Sequence, residues 1–190
     1  MDFADLVRMR RSVRAYAERP VSEQEVETCL EAARRAPSAC NAQPWHFVVI
    51  REGQTRKRLG ELSRLAGTRM NRFVGEAPVI VAITAERPNI TSRIGAVLKK
   101  KPYYLMDIGM AAEHLCLQAA ELGLGTCMIG WFDEPEVRSL LGVSRGLRVA
   151  LLVTVGRPAD EGAGGETAGE EPRPRRRKDL SRIASRERYG

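Results

Sequence analysis

Within Arg10-Arg11-Ser12-Val13-Arg14, three guanidinium groups and a hydroxyl fall in five residues. Guanidinium forks match phosphate oxygens two at a time, and a serine hydroxyl can donate to a third oxygen. The cluster therefore suits a dianionic phosphate monoester better than a single carboxylate. The competing explanation is a solvated basic face, the ordinary fate of a charge run.

A second stretch with chemical potential is Pro37-Ser38-Ala39-Cys40-Asn41-Ala42-Gln43-Pro44-Trp45. Small side chains let a planar ligand approach the backbone, and the amides of Asn41 and Gln43 can read ring carbonyls and nitrogens. The two prolines limit the entropy lost on binding. A plain turn into the next strand is the alternative. A third stretch, Gly125 to Phe132, brackets a short apolar segment with glycines, where backbone amides could reach a ligand that side chains would block.

The elements that must position these stretches follow from periodicity. Asp2 to Met9 reads as a short helix with Phe3, Leu6 and Val7 on one face. Ser22 and Glu25 form a capping box opening a helix with Val26, Cys29, Leu30 and Ala33 as its stripe, ended by Pro37. His46 to Ile50 is expected as a strand buried on both faces. Gln54 to Leu65 fits a surface helix with Leu59, Leu62 and Leu65 inward. Val79 to Thr84 and Arg148 to Val155 are further strands. Tyr103 to Leu122 is the strongest helix, with Leu105, Ile108, Ala112, Leu115, Cys116, Ala119 and Leu122 at three-and-four spacing. Its apolar residues occupy most of the circumference, as in a central helix or one shared with a partner chain. A last helix runs from Asp133 and Pro135 through Leu141.

Composition bounds the function. The chain has 190 residues, 43% hydrophobic and 29% charged, as soluble globular proteins do. No apolar run approaches the ~20 residues that cross a bilayer, and Asp2 and Asp5 stand where a signal peptide would be basic. A cytoplasmic protein without a membrane partner is expected. Cys29, Cys40, Cys116 and Cys127 lack metal-ligand spacing, so buried free thiols and no metal are expected, and Met106, Met110 and His114 read as packing residues. The net charge of +7 divides into +5 for residues 1–155, −4 for 156–171 and +6 for 172–190. Residues 156–172 read as a flexible Gly- and Glu-rich linker. Residues 173–190 read as a basic arm in which Leu180, Ile183 and Ala184 allow a docked helical turn. The connection from Ala85 to Pro102, ending in Lys99-Lys100-Lys101, reads as a lid or binding loop, with disorder as the alternative.

Taken in order, these stretches resemble the nitroreductase family of flavin-dependent oxidoreductases across nearly the whole chain. Arg10 to Arg14 resembles its amino-terminal phosphate motif, and Ala36 to Phe47 its Pro-Ser-x-x-Asn-x-Gln-Pro-Trp signature. Leu122 to Gly130 resembles the segment behind the flavin. Arg176-Arg177-Lys178-Asp179-Leu180 resembles the closing element, departing from it with Asp179 where the family has proline.

The resemblance implies an α+β fold, a central mostly antiparallel sheet flanked by helices, with residues 1–155 as the FMN-binding domain. It implies a homodimer with FMN at the interface and a carboxyl-terminal arm extending onto the partner subunit. Arg10, Arg11 and Ser12 would hold phosphate and ribityl oxygens, and Arg14 would sit near the pyrimidine edge as electrostatic support. Pro37, Ser38, Ala39 and Asn41 would come from the other subunit. The backbone of Ile129 and Gly130 would face the flavin, and Arg175 or Arg177 would complete the phosphate site. NADH or NADPH would deliver hydride, and a nitroaromatic, quinone or related electron-poor acceptor would take it in ping-pong fashion, with no catalytic side chain required. Relatives that fragment flavin or remove halogen are the alternatives within the fold. A nucleic-acid-binding tail at Arg173 to Arg188 is the rival from another class. Only Tyr189 offers stacking there, so no nucleic-acid partner is expected.

Overall fold

The computed structural model describes residues 2–86, 101–159 and 177–189. Four strands, β1 (Trp45–Ile50), β2 (Val79–Ala85), β3 (Gly125–Ile129) and β4 (Arg148–Gly156), form one sheet in the order β1-β2-β4-β3, every pair antiparallel. Among the described residues five helices accompany it: α1 (Phe3–Met9), α2 (Glu23–Arg34), α3 (Gly53–Leu62), α4 (Tyr103–Glu121) and α5 (Glu134–Leu140). The α+β expectation holds, and the sheet is antiparallel throughout.

The sheet is buried on both faces because helices cover each. Val79, Val81, Ile83 and Ala85 of β2 point to the face covered by α2 and α4, packing with Cys29, Ala33, Ile108, Ala112 and Leu115. Ile80 and Ala82 point the other way, toward Leu59 of α3, Val74 and Val137 of α5. This period-two division is what a central strand requires. Every residue of β2 is accordingly buried.

Helix starts follow local chemistry. The Ser22–Glu25 capping box is present in both directions. Asp133 caps α5 by accepting from the Glu136 amide, and the Glu52 carboxylate accepts from two amides at the start of α3. Glu25 does double duty, receiving Arg157 at 2.7 Å and so tying α2 to the end of β4. The Ser22 backbone amide, then the Ser22 hydroxyl and Arg157, hold its carboxyl below the usual range against partial burial.

Three expectations are corrected. Gly125 to Ile129 is a strand, because its backbone pairs with β4 from Gly125–Gly156 to Ile129–Leu152. Strand β1 is not buried on both faces: it is an edge strand, leaving His46 and Val49 exposed. Helix α3 ends at Leu62, so Leu65 lies beyond it. Leu180–Arg182 is a single 3₁₀ turn, with Leu180 74% and Ile183 63% exposed in the single chain. Leu105, Met106 and Met110 on α4 are also exposed, as are Phe3 and Val7 on α1. Of the connection 85–102, residues 87–100, including Lys99 and Lys100, lie outside the described residues. Of the 156–172 stretch, 160–172 lie outside, while pairing continues through Ala159, whose amide donates to Ala15.

Two close backbone approaches depend on glycine. At Gly60 of α3 an added Cβ would stand 2.6 Å from the Gly75 nitrogen, so the helix and the 3₁₀ turn Arg72–Glu76 touch backbone to backbone. At Gly125 it would stand 2.5–2.8 Å from three carbons of the buried Val13 side chain. Gly125→Ala is expected to destabilise the fold by about 1–3 kcal/mol, the usual penalty of overpacking. Adding Val13→Ala should return part of that loss in chemical denaturation; no recovery in the double variant would mean the clash lies elsewhere. A carboxyl depressed in the folded state contributes stability above its unfolded pKa and loses it as pH falls through the folded one. Glu25→Gln should therefore lower stability at neutral pH and flatten the acid limb of the stability profile below about pH 4.5.

Candidate functional site

The amino-terminal segment leaves α1 at Arg10 and runs alongside β3 and β4. Val13 donates its amide to the Thr126 carbonyl at 2.8 Å, and Ser12 bridges to Thr126 in parallel fashion. Ala17 donates to the Arg157 carbonyl at 3.0 Å. The Tyr16 hydroxyl bonds the Val13 carbonyl at 2.9 Å and shares a 2.7 Å bond with the Thr154 hydroxyl. Burial pushes the Tyr16 phenol far above its ordinary range, so it stays neutral.

This docking sets the basic cluster beside the strand that leads to Gly130. Cys127 registers the arrangement. Burial pushes its thiol up, while Arg14, the Ser12 hydroxyl and Arg10 pull the other way. Ser12 and Arg14 are exposed, and Arg14 reaches the Ser12 carbonyl at only 3.4 Å, so its guanidinium is almost unengaged within the chain. Arg10 is held by Glu113 of α4 at 3.2 Å. Ile129 closes β3 in the core, and around Gly130 an added Cβ would meet nothing within 4 Å. Backbone at this point is open to a flat ligand, and Trp131 follows it, 54% exposed.

The second loop is built differently. Ala39–Asn41 forms a 3₁₀ turn with Cys40, Asn41 and Gln43 all at positive φ, near 52°, 51° and 44°. For residues with a side chain such conformations cost roughly 1–3 kcal/mol each and persist only where the surroundings hold them. Ser38 Oγ accepts the Gln43 amide, and Gln43 Nε2 reaches Asn41 Oδ1. The Pro44 carbonyl accepts from Glu86 just past β2. From beneath, Asp107 of α4, 3% exposed, receives the Ala39 amide at 3.2 Å. The other carboxylate oxygen of Asp107 is buried without a partner. Cys40 is exposed, contrary to the expectation for the thiols, whereas Cys29 and Cys116 are buried and pushed up to about 12 and about 11 by that burial.

Two site residues escaped the sequence reading. Asp107 carries a signal in retrospect: an acid on the most apolar helix, next to Ile108 on its buried side. Asn71 carries none beyond its residue type. In the left-handed region at φ 59°, it donates from Nδ2 to the Ser63 carbonyl at 3.1 Å and the Trp131 carbonyl at 3.4 Å, fastening the loop after α3 to the segment after Gly130.

The structure thus sets Arg10, Ser12 and Arg14 near Cys127 of β3, the strand that ends at Ile129 and leads to Gly130. Pro37, Ser38, Ala39 and Asn41 gather in the second loop over Asp107. Glu113, which meets Arg10, lies six residues further along α4, so the two loops approach this helix about 120° apart around its axis and about 9 Å apart along it. Arg175 lies outside the described residues. Arg177 is exposed and makes no hydrogen bond or ion pair among the described residues. Among the described residues no group of His, Cys, Asp and Glu could hold a metal ion, and no helix is long and apolar enough to cross a membrane.

Comparison with known proteins gives consistent likenesses. The sequence model of the nitroreductase family matches residues 7–69 and 66–157. An Archaeoglobus fulgidus protein named as an NADH dehydrogenase/NAD(P)H nitroreductase is 32% identical over 162 residues, covering 82% of this chain and 85% of its own. An iodotyrosine deiodinase of Thermotoga neapolitana is 28% identical over 82% of this chain and 88% of its own, and an FMN reductase of Bacillus subtilis 27% over 80% and 64%. The crystal structure of a nitroreductase family protein from Clostridium novyi superposes with a TM-score of 0.74 at 25% identity, covering 84% of this chain and 87% of that one.

Asp107→Ala is expected to leave the Ala39 amide unpaired, destabilise the protein by about 1–3 kcal/mol and speed hydrogen exchange at Ala39 to Gln43. Asp107→Asn, which keeps an accepting oxygen, should do so less. Unchanged exchange in the alanine variant would show that the loop holds itself.

Proposed function

Because this chain belongs to the nitroreductase family, we propose that it is an NAD(P)H-dependent oxidoreductase that binds FMN where the basic amino-terminal cluster meets the end of β3. The observation that supports this reading is the Val13–Thr126 bond, which sets the arginine cluster along the strand that leads to the open backbone of Gly130. The residues fit the group: an almost unengaged guanidinium at Arg14, an exposed Ser12 hydroxyl, and backbone clear of any side chain.

When bound, FMN supplies the redox chemistry, taking hydride from NADH or NADPH and passing it to an electron-poor acceptor that occupies the same face in turn. The chain's part is binding and field. Arg10, Arg11 and Ser12 hold the phosphate and ribityl oxygens, and Arg10 is already aimed by Glu113. Arg14 would lie beside the pyrimidine edge, where its charge would support the reduced ring. The backbone of Ile129 and Gly130 faces the ring.

A complete site takes two chains. The loop of Pro37, Ser38, Ala39 and Asn41 approaches α4 well around the helix from the Arg10 cluster of its own chain, so it serves the ring of the partner. Exposed Leu105, Met106, Met110, Phe3 and Val7 supply the apolar face such a homodimer buries. Exposed Leu180 and Ile183 suit an arm that crosses onto the partner, carrying Arg175 or Arg177 toward the phosphate. Nitroaromatics and quinones are the acceptors proposed, with ping-pong kinetics. The likeness to a deiodinase favours one second reading, reductive removal of halogen from an aromatic ring, which product analysis with a halogenated phenol distinguishes.

Heat denaturation of the purified protein should release FMN, identified by chromatography. A charge-assisted hydrogen bond contributes ~1.5–3 kcal/mol, so Arg10→Ala should weaken FMN binding roughly ten- to a hundredfold. A colourless protein that stays so after soaking with FMN would end the flavin reading. An unchanged dissociation constant would remove Arg10 from the phosphate site.

A further inference from the structure

Between α3 and the 3₁₀ turn the chain reads Arg64-Leu65-Ala66-Gly67-Thr68-Arg69-Met70-Asn71-Arg72, with three cations and no acid. All three arginines are exposed. Several other arginines are paired: Arg8 with Asp5, Arg34 and Arg35 with Glu31, Arg58 with Glu61, Arg148 with Glu134, Arg157 with Glu25. Arg51 and Arg56 donate to backbone carbonyls. The guanidinium groups of Arg64, Arg69 and Arg72 have no hydrogen bond or ion pair among the described residues.

The stretch that carries them is tethered. Asn71 bonds the Ser63 and Trp131 carbonyls, and Asp133 donates its amide to Leu62 at 2.9 Å. Thr68 Oγ1 donates to the Leu65 carbonyl and accepts from the Met70 amide. Three unpaired guanidinium groups are thus held on a loop fastened to Trp131, one residue past the backbone assigned to the ring.

Like charges grouped on one short loop repel one another, and a bound anion relieves that repulsion. Guanidinium forks select phosphate, and an exposed indole offers its face to a planar base. We propose that Arg64, Arg69 and Arg72 form the recognition rim for the phosphate-bearing adenosine end of the hydride donor, with Trp131 against the purine. The enzyme then prefers the 2′-phosphorylated donor, NADPH, because a phosphate dianion stands where NADH has a hydroxyl. This rests on the flavin reading above, and flavin content is measured first so that the two fail separately.

The test is the reductive half-reaction of the flavin-loaded protein, followed by stopped-flow absorbance with NADPH and with NADH, in the native chain and in Arg64→Gln/Arg69→Gln/Arg72→Gln. The native chain should favour NADPH, and added salt should narrow the gap. The triple variant should lose about tenfold or more in kcat/KM for NADPH and less than about threefold for NADH, with bound FMN unchanged. Should the triple variant fail to fold, Arg69→Glu carries the same expectation. Equal use of both donors by the native chain, or equal loss for both in the variant, overturns the proposal. So does a loss confined to the oxidative half-reaction with 4-nitrobenzoate and absent with 4-nitrobenzamide, which would assign the rim to anionic acceptors instead.

Discussion

One backbone contact organises this molecule: the segment from Ser12 to Ala17 lies along β3 and β4, bonded at Val13–Thr126 and Ala17–Arg157. It can lie so close only because Gly125 presents no side chain to Val13. Tyr16 completes the seam by bonding the Val13 carbonyl and Thr154 from within the core. Without this contact the arginines that precede it would be a charged tail on a short helix with no buried residue of its own. With it, they become a fixed feature of the sheet edge.

Helix α4 is the second organiser, and its two acids act differently. Glu113 meets a cation at the surface, where the pair aims Arg10 more than it stabilises the fold. Asp107 is buried under a loop that holds three side-chain-bearing residues in left-handed conformations. Its bond to the Ala39 amide supplies part of what such a strained loop needs. The same helix therefore supports the Arg10 segment and the Pro37–Asn41 loop on different sides.

Much of this was legible beforehand because the signals were local. The Ser22–Glu25 box, the β-branched runs at Val79 and Arg148, and the long stripe of Tyr103 to Leu122 each announce themselves within one window. Strand β3 did not, because five residues between glycines become a strand only through pairing with β4. The exposure of β1 could not be read either, since Phe47 to Ile50 look alike on an edge and in the middle of a sheet; strand order is a long-range property. The arginine cluster and the amide loop were readable as chemistry, whereas Asp107 acts on the Ala39 amide 68 residues away and Asn71 ties nearby Ser63 to Trp131, 60 residues on, and no spacing rule reaches these partners.

The Gly60–Gly75 crossing has a consequence for how such a protein changes over time. Backbone clamped against backbone there fixes both ends of the intervening loop, and inside it the side chains of Asn71 and Thr68 add the remaining ties. Residues such as Arg64, Arg69 and Met70 can then be exchanged with little effect on folding, while the frame that aims them stays put. Mutation is free to explore preference on this loop first, and the scaffold is asked to tolerate nothing.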